Sequence, residues 1–327
     1  MLRAQKIQDL PVNQNNDFTD AVVDGLSKPQ KTLPSRFFYD ARGSRLFEDI
    51  TRLDEYYLTR TEASILRDHA PRMVEDFSAD GLLVEYGSGS SLKTELLLAA
   101  LPPTAAYVGI DVSKEALEDA SQRLAKRFPQ LDARAIVGNF SDAVALPSDL
   151  AWRPQMGFFP GSTIGNLVPT DAAILLAHFK AQLGGIGRLI VGVDLKKDPR
   201  RLVAAYNDAS GVTADFNLNL LLRINRELGG TFELAKFAHK AIYDPRLGRI
   251  EMHLVSLTDH DVSVAGHTFR FRNCETIHTE NSYKYSLLEF QNLARRAGWT
   301  PHHVWTDAES LFSVHELISG GFSRTRP

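Results

Sequence analysis

Short apolar runs separated by amphipathic stretches dominate the middle of the chain. Leu82-Leu83-Val84, Ala106-Tyr-Val-Gly-Ile-Asp111, Ala133-Arg-Ala-Ile-Val-Gly-Asn139, Met156-Gly-Phe-Phe-Pro160 and Arg188-Leu-Ile-Val-Gly-Val-Asp194 each read as a buried strand. Between them the apolar period lengthens to that of a helix, over Lys93 to Leu101, Ser113 to about Phe128, and Thr170 to Leu183. Ser113 is placed to cap its helix, with Glu115 in the first turn, and Gly184-Gly185 ends the helix after Thr170. Alternating buried strands and helices predict an α/β fold built on a parallel, doubly wound sheet.

The flanks have a different texture. Residues 1–20 read as a polar leader, and Asp20 to Ser27 as a short helix. Lys31 to Asp40 is aromatic and turn-rich, with Pro34 and Gly43 as breakers. Ser44 is placed to cap a helix to about Thr51, with Leu46, Phe47 and Ile50 on one face, and a further helix covers Thr61 to Phe77. After Pro199, helices are expected over Arg200–Ala209 and Asp215–Leu228. Strands with partial alternation follow at 249–257 and 261–272, as in an antiparallel sheet. A helix from Ser286 to Ala297, stopped by Gly298, precedes a terminal hairpin over Thr300–Thr306 and Ser313–Ile318. The expected division is a sheet domain at 61–199 plus 286–327 and a smaller α+β domain at 21–60 plus 200–285.

Composition narrows the classes. In 327 residues, 43% are hydrophobic and 24% charged, enough for a sizeable core and against disorder. The net charge of −3, with no basic stripe, argues against nucleic acid or an anionic membrane as partner. One cysteine, Cys274, excludes a disulfide framework or thiolate metal cluster. The ten histidines are scattered; His239, His253, His260 and His267 show no ligand spacing, and His302-His303 are adjacent. Met1 to Asn16 lacks an apolar signal core, and no run reaches transmembrane length. A cytoplasmic monomer, without a metal, is expected.

Glu85-Tyr-Gly-Ser-Gly-Ser-Ser-Leu-Lys-Thr94 carries the first chemical signal: a strand feeding a helix through Gly87 and Gly89. A dinucleotide site wants a third glycine where Leu92 stands, and a P-loop wants glycine before Lys93. An S-adenosylmethionine (SAM) site tolerates the turn as it is, and a turn that binds nothing stays open. Asp111 ends the second strand, where a carboxylate can accept from both hydroxyls of a ribose, of SAM or NAD alike. Asn139-Phe140 ends the third, where an amide can pair with adenine and a ring can stack on it; a strand-end turn serves equally. Gly161-Ser-Thr-Ile-Gly-Asn166 ends the fourth, where ligands of open parallel sheets bind, and Asn166 can donate to a carboxylate.

Longer segments carry a resemblance. Lys31-Thr-Leu-Pro with Phe38-Tyr39-Asp40, Thr51-Arg-Leu through Glu55-Tyr56-Tyr57 to Thr61-Glu62, Gly161 to Leu167, Gly211 to Asn217, Asn225-Arg-Glu-Leu228 and Arg249-Ile-Glu-Met252 are similar to the histidine-specific Nα-methyltransferases of ergothioneine biosynthesis. The resemblance runs from about Lys31 to the C-terminus. It implies a Rossmann-like SAM methyltransferase domain, with the smaller domain binding substrate. It also implies three methyl transfers from SAM to the α-amino group of L-histidine, through its methylated intermediates to hercynine. Carried over by motif, Asn166 and Tyr206 resemble the pair on the substrate carboxylate. Tyr56, Phe47 and Met252 match pocket residues, and Glu280 and Ser282 match the pair that hydrogen-bonds the imidazole. Tyr39, Gly87, Lys93 and Asp111 match SAM-side positions. Asn139-Phe140 departs from the family's frequent Asp-Phe, keeping an acceptor for an adenine amine while losing a charge. Thr279-Glu-Asn-Ser-Tyr-Lys284 carries polar Asn281 where a small apolar residue is common, with Glu and Ser at their spacing.

Methyl transfer from a sulfonium to an amine needs positioning more than a catalytic triad. The phenols of Tyr39 and Tyr56 would assist the first two amine deprotonations. The alternative acceptor is another amino acid or an indole amine such as tryptophan, against which Glu280 and Met252 argue. An NAD oxidoreductase is disfavoured by Leu92, and a non-enzymatic SAM sensor by the carboxylate clamp.

Overall fold

The computed structural model describes residues 7–9, 14–89, 92–184 and 187–320. Contacts divide the chain into two compact units. One comprises Met1–Leu10, Leu58–Lys196 and Lys284–Pro327; the other comprises Pro11–Tyr57 and Lys197–Tyr283.

In chain order, β1 (Ile7–Asp9) leads to α1 (Gln14–Ser27), β2 (Lys31–Thr32), a 3-10 turn at Ser35–Phe38, α2 (Ala41–Ile50) and α3 (Tyr57–Met73). Strands and helices then alternate: β3 (Leu82–Tyr86), α4 (Thr94–Leu98), β4 (Ala106–Asp111), α5 (Lys114–Arg127), β5 (Asp132–Val137), β6 (Gln155–Phe159), α6 (Pro169–Gln182) and β7 (Arg188–Asp194). Two helices follow, α7 (Pro199–Ala204) and α8 (Val212–Leu228). After them come β8 (Phe237–Asp244), β9 (Arg249–Ser256), β10 (His260–Val264), β11 (His267–Phe271) and β12 (Thr276–Tyr283). The chain closes with α9 (Leu287–Arg296), β13 (Trp299–Thr306) and β14 (Phe312–Ser319).

The first unit is an eight-stranded sheet in the order β1-β5-β4-β3-β6-β7-β14-β13. The five expected strands, β3 to β7, pair in parallel, and the terminal hairpin adds antiparallel beside β7. Every residue of β3 and β7 is buried, as the apolar runs require. The chain runs from β3 outward through β4 to β5 on one side and then crosses back to β6 on the other, which makes the carboxyl end of β3 a topological switch point. At the far end of the sheet, Arg188 pairs with Glu316 and donates to the Met73 carbonyl at 2.9 Å, so a buried charge is answered on both sides.

Among residues 1–20, those described form regular elements. Ile7–Asp9 pairs in parallel with β5, and α1 begins at Gln14 instead of Asp20. Three residues are too few to show a strand period, and the helix starts in a polar Gln-Asn-Asn stretch. Residues 1–6 and 10–13 of the expected polar leader, with Ser90, Ser91 and Gly185, lie outside the described residues. The helix expected from Ser44 starts at Ala41, because Asp40 caps it by accepting from Gly43 N–H at 2.7 Å.

The second unit holds a four-stranded sheet, β2-β12-β9-β8, antiparallel apart from the β2–β12 pair. β10 and β11 form a separate hairpin whose two-residue turn, Ala265-Gly266, has positive φ at both positions. α8 packs on α2, β8 and β9. β12 carries a bulge between His278 and Glu280. Ile277 stands opposite Leu254, and after the bulge Glu280 stands opposite Met252 and Ser282 opposite Ile250. Directly opposed residues share a sheet face, so the bulge at Thr279 switches which parity of β12 faces which way. Without it Glu280 and Ser282 would share the face of His278.

Candidate functional site

In the first unit the glycine turn is built around Asp111. Gly87 and Gly89 have φ of +73° and +47°, where an L side chain is strained. Gly89 N–H donates to Asp111 Oδ2 at 2.8 Å and Ser113 N–H to Oδ1 at 2.9 Å. Burial pushes the Asp111 carboxyl up, against the backbone N–H groups of Ser113, Gly89 and Val112. A carboxylate offers about four acceptor positions, so one remains for a ligand. A side chain added at Gly89 would enter open space, and one at Gly87 would come within 3.3 Å of Phe140. The turn is therefore backed by an aromatic ring, and Phe140 in turn packs on Phe159, centroids 5.3 Å apart. Asn139 Oδ1 accepts from Ser141 N–H at 3.0 Å, so its side chain serves the local turn.

Two buried carboxyls underpin this turn. Glu85 is buried and receives the hydroxyls of Thr94 and Tyr107, the latter at 2.5 Å. Burial pushes its pKa up to about 8. Glu62, on α3, is fully buried and pairs with Lys93 at 2.6 Å. Its two oxygens accept from Gly161 N–H at 3.0 and 2.9 Å. Lys93 and the turn after β6 are thus tied to one carboxylate. Gly192 makes the room, since a Cβ there would sit 2.0 Å from Glu62 Oε1. Asn166 ends the 3-10 turn Thr163–Asn166, half-buried, following Ser162, whose Oγ accepts from Asp194 N–H at 2.9 Å. Sequence reasoning assigned Glu62 no role. A lone acid on the buried face of an amphipathic helix was its signal.

In the second unit the expected aromatic residues form one cluster. Tyr39 meets Phe47 edge-on at 5.6 Å, and Phe47 meets Tyr56 at 6.2 Å. Tyr56 meets Tyr206 at 6.1 Å. Phe216, from α8, fills the centre at 5.8 Å from Tyr39 and 6.0 Å from Phe47; no role was expected of it, although it lies in the Gly211–Asn217 motif. Asp40 orients this corner by bonding Asn219 at 2.8 Å and Arg226 at 2.7 Å, both on α8. Burial works to raise its pKa, but Arg226, Gly43 and Asn219 hold it below the usual carboxylate range.

Tyr206 and Ser282 share a buried hydroxyl–hydroxyl bond of 2.7 Å, although the resemblance gave them to opposite ends of a substrate. A hydroxyl both donates and accepts, so the pair can run on to a further polar group. The Tyr206 carbonyl accepts from His239 Nε2 at 2.8 Å, and His239 Nδ1 accepts from Asn217 Nδ2 at 2.9 Å. A carbonyl only accepts and an amide nitrogen only donates, so His239 is neutral with its proton on Nε2. Burial, which holds its pKa down, agrees. Met252 is buried in β9 directly opposite Glu280.

The histidines are less scattered than their spacing suggests. His253 and His278, opposite one another in β9 and β12, stack with centroids 4.7 Å apart. With Glu251 they place potential ligand atoms within 4.8 Å of one another. Glu251 is already engaged: Oε1 accepts from Arg249 Nε at 2.8 Å, and Oε2 lies 2.9 Å from His253 Nε2. Lys240 stands opposite His253 in β8. Two cations beside the trio favour a hydrogen-bonded network over a metal ion.

Three comparisons bear on this geometry. A family model described as "Histidine-specific methyltransferase, SAM-dependent" matches residues 18–319. The histidine N-alpha-methyltransferase of Mycolicibacterium smegmatis is 39% identical over 295 residues, covering 89% of this chain and 91% of that protein. Ergothioneine biosynthesis protein 1 of Neurospora crassa is 32% identical over 302 residues, 90% of this chain but 34% of that longer protein. Among solved structures, a S-adenosylmethionine-dependent methyltransferase from Clostridium acetobutylicum overlaps 85% of this chain and 99% of its own, at 11% identity and a TM-score of 0.48.

Proposed function

The chain belongs to the SAM-dependent, histidine-specific methyltransferases, and on that premise we propose that it trimethylates the α-amino group of L-histidine to hercynine, for ergothioneine biosynthesis. The observation that carries the proposal is the face of β12 turned by the bulge. Glu280 and Ser282 stand there with buried Met252, and Ser282 leads through Tyr206 to a wall of Tyr56, Phe47 and Tyr39. An apolar wall with a carboxylate and a hydroxyl suits an imidazole at one end and a methylated ammonium at the other.

The residues take these roles. Asp111 accepts from the ribose hydroxyls, Gly87 keeps the turn open, Phe140 flanks the adenine, with Asn139 at its edge, and Lys93 provides the positive charge at the turn. Bound SAM supplies a methyl carbon on a positively charged sulfur that leaves as a neutral thioether. Asn166 and Tyr206 are read as donors to the substrate carboxylate. Glu280 accepts from an imidazole N–H, and Ser282 serves the other ring nitrogen. The acceptor nitrogen must be neutral, so Tyr39 and Tyr56 take hydrogen bonds from the amine and pass protons outward. A leaving group this good needs no Lewis acid, and the reading includes no metal.

We read the partner as a free small molecule and the protein as a cytoplasmic monomer; no helix among the described residues is long and apolar enough to cross a membrane. The test is a competition. Purified protein with SAM is offered an equimolar mixture of amino acids, and products are followed by mass. Methylation of histidine, with tryptophan untouched, is expected. Methylation of tryptophan in preference to histidine would overturn the acceptor assignment.

A further inference from the structure

We propose that His278 is a positioning residue for substrate recognition, holding the backbone of Glu280 at the β12 bulge. The inference rests on the reading that Glu280 receives the imidazole. Glu280 and Ser282 reach the Met252 face only because Thr279 shifts the register. A bulge leaves a peptide outside the regular ladder, and something else must fix its orientation. Thr279 Oγ1 donates to the Met252 carbonyl at 3.1 Å on one side. On the other, His278 Nε2 lies 3.0 Å from the Glu280 carbonyl, across the shift itself. That carbonyl only accepts, so Nε2 carries the proton.

His278 is held in turn. Its ring stacks on His253 at 24°. His253 Nε2 meets Glu251 Oε2, and Arg249 binds Glu251 Oε1 while donating to the Tyr283 hydroxyl at 2.6 Å. A continuous set of contacts therefore runs across β9 and β12 from Arg249 to the Glu280 peptide. Burial holds the pKa of both histidines down, which leaves His278 neutral with a single N–H, aimed at the carbonyl. A recognition carboxylate placed on a bulge keeps its direction only if its own peptide is fixed. Nothing in the composition of β12 marks this role, because His278 faces away from the substrate side.

The test compares His278→Phe, which keeps a ring on His253 but has no donor, with His278→Gln, whose amide N–H has similar reach. Loss of the donor should raise the KM for histidine about tenfold. The kcat and the SAM affinity should stay within about twofold of wild type, and the glutamine variant should recover most of the KM. In a Glu280→Ala background, His278→Phe should add nothing further, because both changes act on one interaction. His278→Met repeats the donor-free arm if the phenylalanine variant folds poorly. Equal KM values for the phenylalanine and glutamine variants, or full additivity with Glu280→Ala, would overturn the inference. An impaired Glu280→Ala beside a neutral His278→Phe rejects the inference alone; a neutral Glu280→Ala rejects the underlying reading and the inference with it.

Discussion

At the scale of single residues, the two halves of the chemistry separate cleanly. Asp111 accepts from backbone N–H groups at both of its oxygens, and a carboxamide cannot accept at both positions. Asp111→Asn should weaken SAM binding by about one to two orders of magnitude, measured by calorimetry, with the KM for histidine nearly unchanged. Glu280→Ala should do the reverse, raising the histidine KM about tenfold or more while SAM affinity holds. Equal loss of both in Glu280→Ala would make it a structural residue. Glu85 gives a pH signature. Its carboxyl is pushed from 4.5 to about 8 by burial, so it binds its proton more tightly folded than unfolded. Its contribution to stability is whole below the unfolded value and disappears as pH rises through about 8. Wild type should therefore lose melting temperature between about pH 4.5 and about pH 8, and Glu85→Gln should show a flatter profile. An identical fall in both would place the alkaline sensitivity elsewhere.

At the scale of elements, two features do the placing, and neither is visible in local composition. Gly192, inside a fully buried strand, reads as one more apolar-run residue; the structure shows it making room for Glu62, which binds Lys93 and the turn after β6. Gly192→Ala should destabilise the fold by about 3 kcal/mol by forcing a buried carboxylate off its partners, read as a shift of the urea midpoint. A neutral substitution would mean that Glu62 moves freely. The second feature is the β12 bulge. Period-two reading of Thr276 to Tyr283 puts Glu280 and Ser282 with His278 on a polar edge, and a one-residue shift reverses that. β3 to β7 were legible because parallel strands buried on both faces leave apolar runs. β8 and β12 were not, because each mixes polar and apolar residues on both faces.

At the scale of the whole molecule, the resemblance reached further than the pattern did. Glycine turn, Asp111 and strand order suit the adenosine site proposed above, of a kind shared by many chemistries. The long motifs at Thr51–Glu62, Gly161–Leu167 and Gly211–Asn217 lead to an acceptor. The structure gives those motifs physical content. Glu62 ties α3 to the turn after β6 in one unit, and Phe216 centres the aromatic cluster in the other. What pattern reading could not supply was proximity across sequence, as in the Tyr206–Ser282 bond and the His253–His278 stack. Both join residues distant in the chain, the second pair through the register of β9 against β12.

The central claim concerns which nitrogen is methylated and how many times. Histidine offers three, the α-amine and two in the ring. The most direct measurement is tandem mass spectrometry and NMR of the product formed by the purified protein from histidine and excess SAM. The account predicts three successive methyl additions, all on the α-nitrogen, with both ring nitrogens unchanged. Methyl groups on the imidazole, or no methylation of histidine at all, would contradict it.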